Sequence, residues 1–344
     1  MTKQRLGAAL AAAMILLAGC GGGKDKKATA KPTTTTAPPS TTAAPAAATA
    51  PLTGLPPDPA TAGRPALIVK IDNAPNGRPQ HGINDADVVI EEGVEGGITR
   101  LATIFQSKAP EEVGPVRSAR STDISIATPL NRPLFAYSGT NAAFQALVND
   151  APLVVLSQDA MPGAYYRKGG RSAPYNLWAR VGDLYGAAAK AGGAPNPLFT
   201  YLAAGEAPAG DPANGVTLQW KDKVATDVSW TWDAGAGVYH RVMNGTPHVD
   251  DDGNQVGPKN VIVQFTEYVI TPYVDAGGNP VPEAKLVGGG DAWILTGGKI
   301  VKGHWQRDAV DQVTRYLDAA GNPVKLTPGP TWVELPKPDM ATSS

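Results

Sequence analysis

The stretch Ala66-Leu67-Ile68-Val69-Lys70-Ile71, followed at once by Asp72-Asn73, decides how the folded part of this chain is built. Its apolar residues are consecutive and mostly β-branched, which is typical of a short strand that is buried on both faces. A second run of the same kind, Ala86-Asp87-Val88-Val89-Ile90-Glu91, follows a segment containing Pro, Asn and Gly. Because a strand that is buried on both faces needs a covering layer on each side, the two runs predict a layered sheet.

Further strands and two helices are predicted around this pair. The strands cover residues 98–105, 134–137 and 153–156. One helix covers residues 141–148, with Asn141 as its N-cap, and the other covers residues 177–190 and ends at Gly192-Gly193. Strands that alternate with helices indicate an α/β layered domain over residues 52–205.

The second half of the chain has no helical periodicity. Residues 205–215, rich in Ala, Gly and Pro, predict a domain boundary, and the predicted strands beyond it are 228–232, 237–243, 260–270, 292–295, 299–305 and 331–335. The pattern D-x-x-G-N-[PQ]-V recurs at 250–256, 275–281 and 318–324, and its Asp and Gly predict a hairpin turn each time. The predicted fold class is therefore α+β, with the α/β domain followed by a β-rich domain of hairpins over residues 216–338.

Cys20 is the single cysteine among the 344 residues and ends a short secretion signal. A basic start, an apolar core over residues 6–17 and the sequence Leu17-Ala18-Gly19 are typical of a lipoprotein signal peptide, residues 1–19. We expect acyl chains such as palmitate on Cys20 and a location on the outer face of the bacterial cytoplasmic membrane. An ordinary secretory signal with a chance cysteine is the alternative. Residues 20–51 contain no large apolar side chain after the cysteine and are predicted to be a disordered tether.

Charge and composition exclude several functional classes. Lys plus Arg number 30 and Asp plus Glu number 31, so no basic surplus exists for a nucleic-acid partner. With Cys20 lipidated, no thiol remains for disulfides, cysteine metal sites or a cysteine nucleophile. The motifs GxSxG, SxxK, HExxH and the Walker loop are absent, and the four histidines have no metal-ligand spacing. No metal or cofactor is predicted, and enzymatic activity is left open, with the sequence favouring a binding protein.

Three arginines are the main candidate ligand-binding residues. Arg117 and Arg120 lie three positions apart in a hydroxyl-rich segment just before a predicted helix start, and Arg100 lies on the polar face of a predicted strand. Guanidinium groups bind carboxylate or phosphate through paired hydrogen bonds, so the cluster predicts an anionic ligand. In the alternative interpretation, Arg117 and Arg120 form structural ion pairs with nearby acids, namely Glu91, Glu92, Glu95 or Asp123.

Two further polar groups complete the predicted binding set. Asp72 and Asn73 end the first strand, and ligands of α/β sheets gather at the carboxyl ends of strands. Arg171 and Asn176 belong to a polar patch before the second predicted helix. The acidic run at residues 250–254 invites a calcium interpretation, but it lacks the EF-hand spacing, so a turn is the better prediction.

The chain resembles the YerB family of bacterial lipoproteins, also known as the domain of unknown function DUF3048. The resemblance covers residues 52–336 and rests on motifs that match in order, among them Val69-Lys70-Ile71-Asp72-Asn73, Val94-Glu95-Gly96-Gly97-Ile98-Thr99-Arg100 and Gly114-Pro115-Val116-Arg117-Ser118-Ala119-Arg120. It implies an N-terminal and a C-terminal domain and an envelope lipoprotein, and it brings no established activity. One departure is Tyr175, where the resemblance implies histidine in many relatives.

Three functional hypotheses follow. The first is a membrane-anchored lipoprotein that binds an anionic cell-envelope ligand through the arginines. The second is a metal-assisted transferase or hydrolase that acts on envelope glycopolymers or lipid-linked pyrophosphates, with Asp72 or Asp87 holding the ion. The third is a structural protein–protein interaction module.

Overall fold

Strands dominate the part of the chain that the computed structural model describes, residues 49–221, 225–275 and 277–344. Cys20 and the predicted signal peptide lie outside the described residues, as does most of the predicted tether. Within the described part, no helix has the length and apolar character that crossing a membrane requires.

The strands, numbered in chain order, are β1 (Leu67–Asp72), β2 (Val88–Gly93), β3 (Thr99–Phe105), β4 (Glu112–Val113), β5 (Leu134–Ala136), β6 (Val154–Val155), β7 (Tyr165–Arg167), β8 (Leu177–Arg180), β9 (Thr200–Tyr201), β10 (Asp211–Pro212), β11 (Gly215–Trp220), β12 (Thr226–Asp233), β13 (Val238–Met243), β14 (Thr246–Pro247), β15 (Asn260–Gln264), β16 (Tyr268–Val274), β17 (Pro280–Ala284), β18 (Gly288–Thr296), β19 (Lys299–Arg307), β20 (Arg315–Leu317), β21 (Lys325–Leu326), β22 (Thr331–Glu334) and β23 (Ala341–Ser343). The helices are α1 (Thr122–Ala127), α2 (Ala142–Asp150) and α3 (Val181–Ala188), with 3-10 turns at Pro75–Gly77, Ile83–Asp85, Glu95–Gly97, Thr128–Leu130 and Pro162–Ala164.

Strands from both predicted domains form one eleven-stranded sheet. Its order is β10-β19-β18-β15-β22-β2-β3-β1-β5-β6, with β20 paired to β19. Near its centre, β22 from the end of the chain runs parallel to both β15 and β2. The fold is thus of mixed α and β type with strands in the majority. The division into separate domains near residues 205–216 stays a prediction, although the sheet itself is continuous across it.

The central sheet is covered on both faces, as its apolar strands predict. On one face, α1 and α2 contribute Ile126 and Phe144 to a core with Ile68 of β1. On the other face lies a five-stranded sheet, β14-β13-β12-β11-β23. There the ring of Trp230 packs against that of Trp332, with 5.2 Å between centroids. Burial of such large aromatic surfaces is a main source of stability between packed layers.

The two longer helices, α2 and α3, begin differently with respect to their predictions. Asn141 caps α2, because its Oδ1 accepts a hydrogen bond of 2.8 Å from the N–H of Phe144. The predicted helix over residues 177–190 is wrong at its start: residues 177–180 form β8, and the helix begins at Val181. The reason is tertiary, since β8 is held between β4 and β7 and buries Leu177, Trp178 and Ala179.

The recurring turn pattern gives the same structure three times. The Oδ1 atoms of Asp250, Asp275 and Asp318 each accept hydrogen bonds from the N–H groups two and four residues later. The glycine of each turn has positive φ, between 79° and 85°. The turn prediction is therefore confirmed at all three positions, because aspartate fixes the loop and glycine adopts the left-handed conformation freely.

Candidate ligand-binding groove

The three predicted arginines line one groove with a volume of about 540 Å³. Strand β3 supplies Arg100 to it, and the loop between β4 and α1 supplies Arg117 and Arg120. The remaining wall comes from Pro174, from the start of α2 and from the hairpin formed by β16 and β17. The lining residues of that wall include Gly139, Thr140, Asn141, Phe144, Tyr273, Val274, Asp275 and Val281.

Arg100 is buried in the groove, with 5 % of its surface exposed. Its cross-strand neighbours are Asp72 on β1 and Glu92 on β2, so all three side chains lie on one face of the sheet. Both carboxylates are nevertheless engaged elsewhere: Asp72 contacts Arg117, and Glu92 contacts the buried Lys70. Among the described residues, no carboxylate lies within ion-pair distance of Arg100.

Hydrogen bonding satisfies Arg100 only in part. Its Nη1 donates a 3.0 Å bond to the carbonyl oxygen of Ser118. Its Nε is buried and has no partner in the described part of the chain. Burial and the neighbouring charges of Arg120 and Arg117 lower the pKa of Arg100 to about 10. The guanidinium therefore stays charged at neutral pH in an environment that disfavours its charge.

Arg117 is the most accessible of the three, with 16 % of its side chain exposed. Its Nε lies 2.7 Å from Oδ2 of Asp72, although the two atoms are not aligned for a hydrogen bond. The guanidinium also lies over the ring of Tyr175, 5.5 Å from its centroid. Within the described residues, the two terminal nitrogens of Arg117 make no hydrogen bond to protein.

Arg120 is held by protein groups. Its Nε and Nη2 donate to the two carboxylate oxygens of Glu95 at 2.5 and 2.8 Å, and its Nη1 donates to the carbonyl oxygen of Ala119. The N–H of Arg120 also donates to Asp123 at the start of α1. The structural ion-pair interpretation thus describes Arg120 with Glu95 well. Each side-chain nitrogen of Arg120 therefore already donates a hydrogen bond to a protein oxygen.

The other predicted site residues do not line this groove. Asn73, the residue after β1, is buried and donates hydrogen bonds to Glu91 and Thr99. Arg171 donates to the carbonyl oxygens of Gly77 and Pro79 at 3.0 and 2.7 Å. Asn176 donates to the carbonyl oxygen of Arg171 at 3.1 Å. A ligand-binding role for these three stays a prediction, and their observed hydrogen bonds brace the surrounding loops.

Sequence reasoning missed a closed ring of five buried side chains behind β1. Asn73 donates to Glu91, and Arg241 donates both to Glu91 at 2.6 Å and to Nδ1 of His248 at 2.7 Å. His248 and Asn73 each bond Gln80, at 2.8 and 3.0 Å, which closes the ring. Because its members are as far apart as residues 73 and 248, no local spacing signals it. The ring joins β1 and β2 to β13.

The protonation states in the ring follow from its geometry. Arg241 can only donate, so Nδ1 of His248 accepts and Nε2 carries the proton that bonds Gln80. Burial and the charge of Arg241 hold the pKa of His248 well below its usual value, which agrees with a neutral imidazole. Beside the ring, burial and the nearby Glu91 raise the pKa of Glu334 well above its usual value. Of these two acids, Glu91 lies closer to Arg241, at 2.6 Å against 3.8 Å for Glu334.

One group of side chains in the described part of the chain has metal-ligand spacing: His81, Asp251 and Asp252. Nδ1 of His81 and Oδ1 of Asp251 already form a short hydrogen bond. The acidic run at residues 250–254 is a turn that Asp250 stabilises, as predicted.

Asp87 does not support the metal-assisted hypothesis. Its carboxylate accepts hydrogen bonds from the backbone N–H groups of Gln106 and Ser107. It also precedes β2, whereas Asp72 lies at the end of β1, so the two carboxylates are at opposite ends of these strands.

Comparisons with known proteins agree with this architecture. The chain is 28 % identical over 301 residues to a Bacillus subtilis (strain 168) protein named "Putative lipoprotein YerB", covering 86 % of this chain and 88 % of that one. It is also similar to the crystal structure of YerB protein from Bacillus subtilis, with a TM-score of 0.74 and 26 % identity over 86 % of this chain and 99 % of the other.

The sequence profiles of a family described as "Protein of unknown function (DUF3048)" match two segments of the chain. The N-terminal domain of the family matches residues 52–194, and its C-terminal domain matches residues 216–333. The predicted resemblance is confirmed: the chain belongs to the DUF3048 family and carries both of its domains.

Proposed function

We propose that this protein is a cell-envelope lipoprotein that binds an anionic ligand in the groove lined by Arg100, Arg117 and Arg120. The observation that carries the proposal is the state of Arg100. It is a charged side chain, almost fully buried, that lines a groove without an ion-pair partner among the described residues. Since an unpaired buried charge is costly, an anion in the groove would compensate it.

The hydrogen-bond donors around the groove support the same ligand class. Arg117 offers its two terminal nitrogens, and Arg100 offers donors that Ser118 does not occupy. Helix α2 begins at the groove, where Thr140 and Asn141 belong to the lining. The first N–H groups of a helix have no partner within it and carry partial positive charge. Carboxylate and phosphate oxygens are the acceptors that such a set of donors binds best.

The cellular location is part of the proposal. The name of the Bacillus subtilis relative describes it as a lipoprotein. In this chain, the residues before Cys20 have the composition of a lipoprotein signal peptide, and the segment that follows has that of a tether. We therefore place the groove on the outer face of the cytoplasmic membrane, where envelope polymers and lipids present phosphates and carboxylates.

The test is a calorimetric titration of the full chain with pyrophosphate at low salt, using Cys20→Ser to prevent lipidation. Arg100→Gln and Arg117→Ala are each expected to weaken binding at least tenfold. The control is Arg315→Ala, which removes an exposed arginine that does not line the groove. Circular dichroism must show that each variant is folded. Pyrophosphate that binds the wild type and both groove variants with equal affinity would contradict the proposal.

The enzymatic and protein-interaction hypotheses remain alternatives. A metal-dependent loss of pyrophosphate from a lipid-linked substrate would favour the enzyme. A partner protein that competes with pyrophosphate for the folded wild type would favour the interaction module.

A further inference from the structure

We infer that the natural ligand of the groove is an amphiphile, with an anionic head group at the arginines and an apolar tail along the β16–β17 hairpin. The inference rests on the proposed function, because the arginines must hold the head group. It adds that the part of the ligand outside the head group is hydrocarbon, which the arginines alone do not indicate.

The wall that faces the arginines carries five apolar side chains beside polar ones, and its carboxylate, Asp275, accepts hydrogen bonds from the N–H groups of Gly277 and Asn279 in its own turn. Phe144 of α2 and Tyr273 of β16 pack ring against ring, with 5.8 Å between centroids. Val274 and Val281 of the hairpin, together with Pro174, extend the same wall. Phe144 and Val281 are already buried, whereas Pro174, Tyr273 and Val274 are exposed in whole or in part. A small inorganic anion would contact the guanidinium groups and leave these three side chains in water. A ligand that carries hydrocarbon next to its charge would cover them, and each buried methylene group would add to the affinity.

The apolar surface continues out of the groove on the hairpin. Val274 lines the groove and is 49 % exposed, so it lies at the mouth. Ile270, on the same strand, is 68 % exposed, and the neighbouring Val269 is also exposed. Successive side chains of a strand point to opposite faces, so only one of Val269 and Ile270 shares a face of the hairpin with Val274. The hairpin therefore offers a tail an apolar surface from the groove towards solvent.

The hairpin is fixed in position at the groove. Nδ2 of Asn141 donates a 3.0 Å hydrogen bond to the carbonyl oxygen of Val274, while Oδ1 of the same residue caps α2. One side chain thus holds the helix start, where an anion is favoured, beside the apolar wall. This arrangement suits a ligand in which charge and hydrocarbon are covalently joined.

The test compares two probes that share a phosphate monoester: glycerol 3-phosphate, and dihexanoyl phosphatidic acid below its micelle concentration. Titrations use the full chain with Cys20→Ser. The lipid is expected to bind at least tenfold more tightly, equivalent to about 1.4 kcal/mol. Val274→Ser should remove most of this gain and leave glycerol 3-phosphate unaffected. Val310→Ser, which alters an exposed valine elsewhere, should change neither affinity.

The other possible results distinguish a failure of the amphiphile from a failure of the anion-binding groove. If both probes bind equally and Arg100→Gln weakens both, the amphiphile is overturned while the anion groove stands. If neither probe binds the folded wild type, the proposed function falls as well. If the lipid binds more tightly but Val274→Ser behaves like Val310→Ser, the hairpin is not the tail surface and the inference is overturned. Equal binding of dihexanoyl phosphatidylcholine, whose head group is zwitterionic, would overturn the anionic head.

Discussion

Arg120 and Glu95 form a two-point ion pair at the edge of the groove, with 2.5 Å between Nε and Oε1 and 2.8 Å between Nη2 and Oε2. Both side chains are buried, and Glu95 belongs to the turn between β2 and β3. Arg117, three residues earlier, keeps its terminal nitrogens free of hydrogen bonds to the described protein. Two arginines of one motif therefore have different environments: Arg120 is paired with Glu95, and Arg117 is the one that the proposed function assigns to the ligand.

The first prediction separates these tasks by stability. Arg120→Ala leaves the buried Glu95 carboxylate without a partner, so the free energy of unfolding should fall by about 3–5 kcal/mol. Arg117→Ala should cost less, because its partner Asp72 keeps a backbone hydrogen bond from Ala74. Urea unfolding followed by circular dichroism measures both. Equal losses for the two variants would show that Arg117 is structural too.

The second prediction concerns the buried ring. Arg241 is fully buried, bonds Glu91 and His248, and lies over the rings of Trp230 and Trp332 at 5.4 and 4.8 Å. Arg241→Ala should therefore lower the free energy of unfolding by about 3–5 kcal/mol. The matched control, Arg315→Ala, breaks an exposed pair with Asp308 and should cost less than about 1 kcal/mol. Similar midpoints of urea unfolding for the two variants would contradict a stabilising ring.

Local chemistry in the sequence predicts the local parts of the fold. The apolar run at residues 66–71 predicts a strand that is buried on both faces, and aspartate with glycine predicts the three turns. These features depend on side chains that act within a few residues. The helix predicted at 177–180 fails for the opposite reason: its strand is made by pairing with Glu112–Val113 and Tyr165–Arg167, which the local sequence does not reveal.

The groove shows the same limit. The sequence places Arg117 and Arg120 together because they are three residues apart, and strand polarity suggests Arg100. The sequence does not show which basic side chain pairs with which carboxylate. The register of the strands brings Glu92 to Lys70 and Asp72 to Arg117. The hairpin residues of the apolar wall, Tyr273, Val274 and Val281, lie more than 150 residues after Arg120 along the chain. No pattern near the arginines signals them.

The third prediction is a pH dependence that His248 causes. Its pKa is lowered in the folded protein, so the imidazole stays neutral there, whereas in the unfolded chain it titrates near pH 6.5. Below that pH the unfolded state binds a proton that the folded state does not. The free energy of unfolding should therefore fall by up to about 1.4 kcal/mol per pH unit as the pH drops from 6.5 towards 5.

His248→Gln isolates this contribution. Glutamine can accept from Arg241 and donate to Gln80, and it does not titrate. The variant should have a flatter stability profile between pH 7 and 5 than the wild type, while His304→Gln, outside the ring, should keep the wild-type slope. Glu334 titrates in all three proteins, so its effect cancels in the comparison. Parallel profiles for wild type and His248→Gln would refute the assignment.

The last prediction uses Asn141 to separate the helix cap from the hairpin contact. Asn141→Asp keeps an oxygen that caps α2 but removes the Nδ2 donor to Val274, so overall stability should change by less than about 0.5 kcal/mol. Asn141→Ala loses both bonds and should cost about 1 kcal/mol. In hydrogen–deuterium exchange, both variants should exchange faster than wild type over residues 272–275 and 277–280, because the hydrogen bond from Asn141 to Val274 is lost in each. The other end of the hairpin keeps the hydrogen bonds of Tyr268 and Ala284. Unchanged exchange over residues 272–275 and 277–280 in Asn141→Asp would show that other contacts hold the apolar wall of the groove.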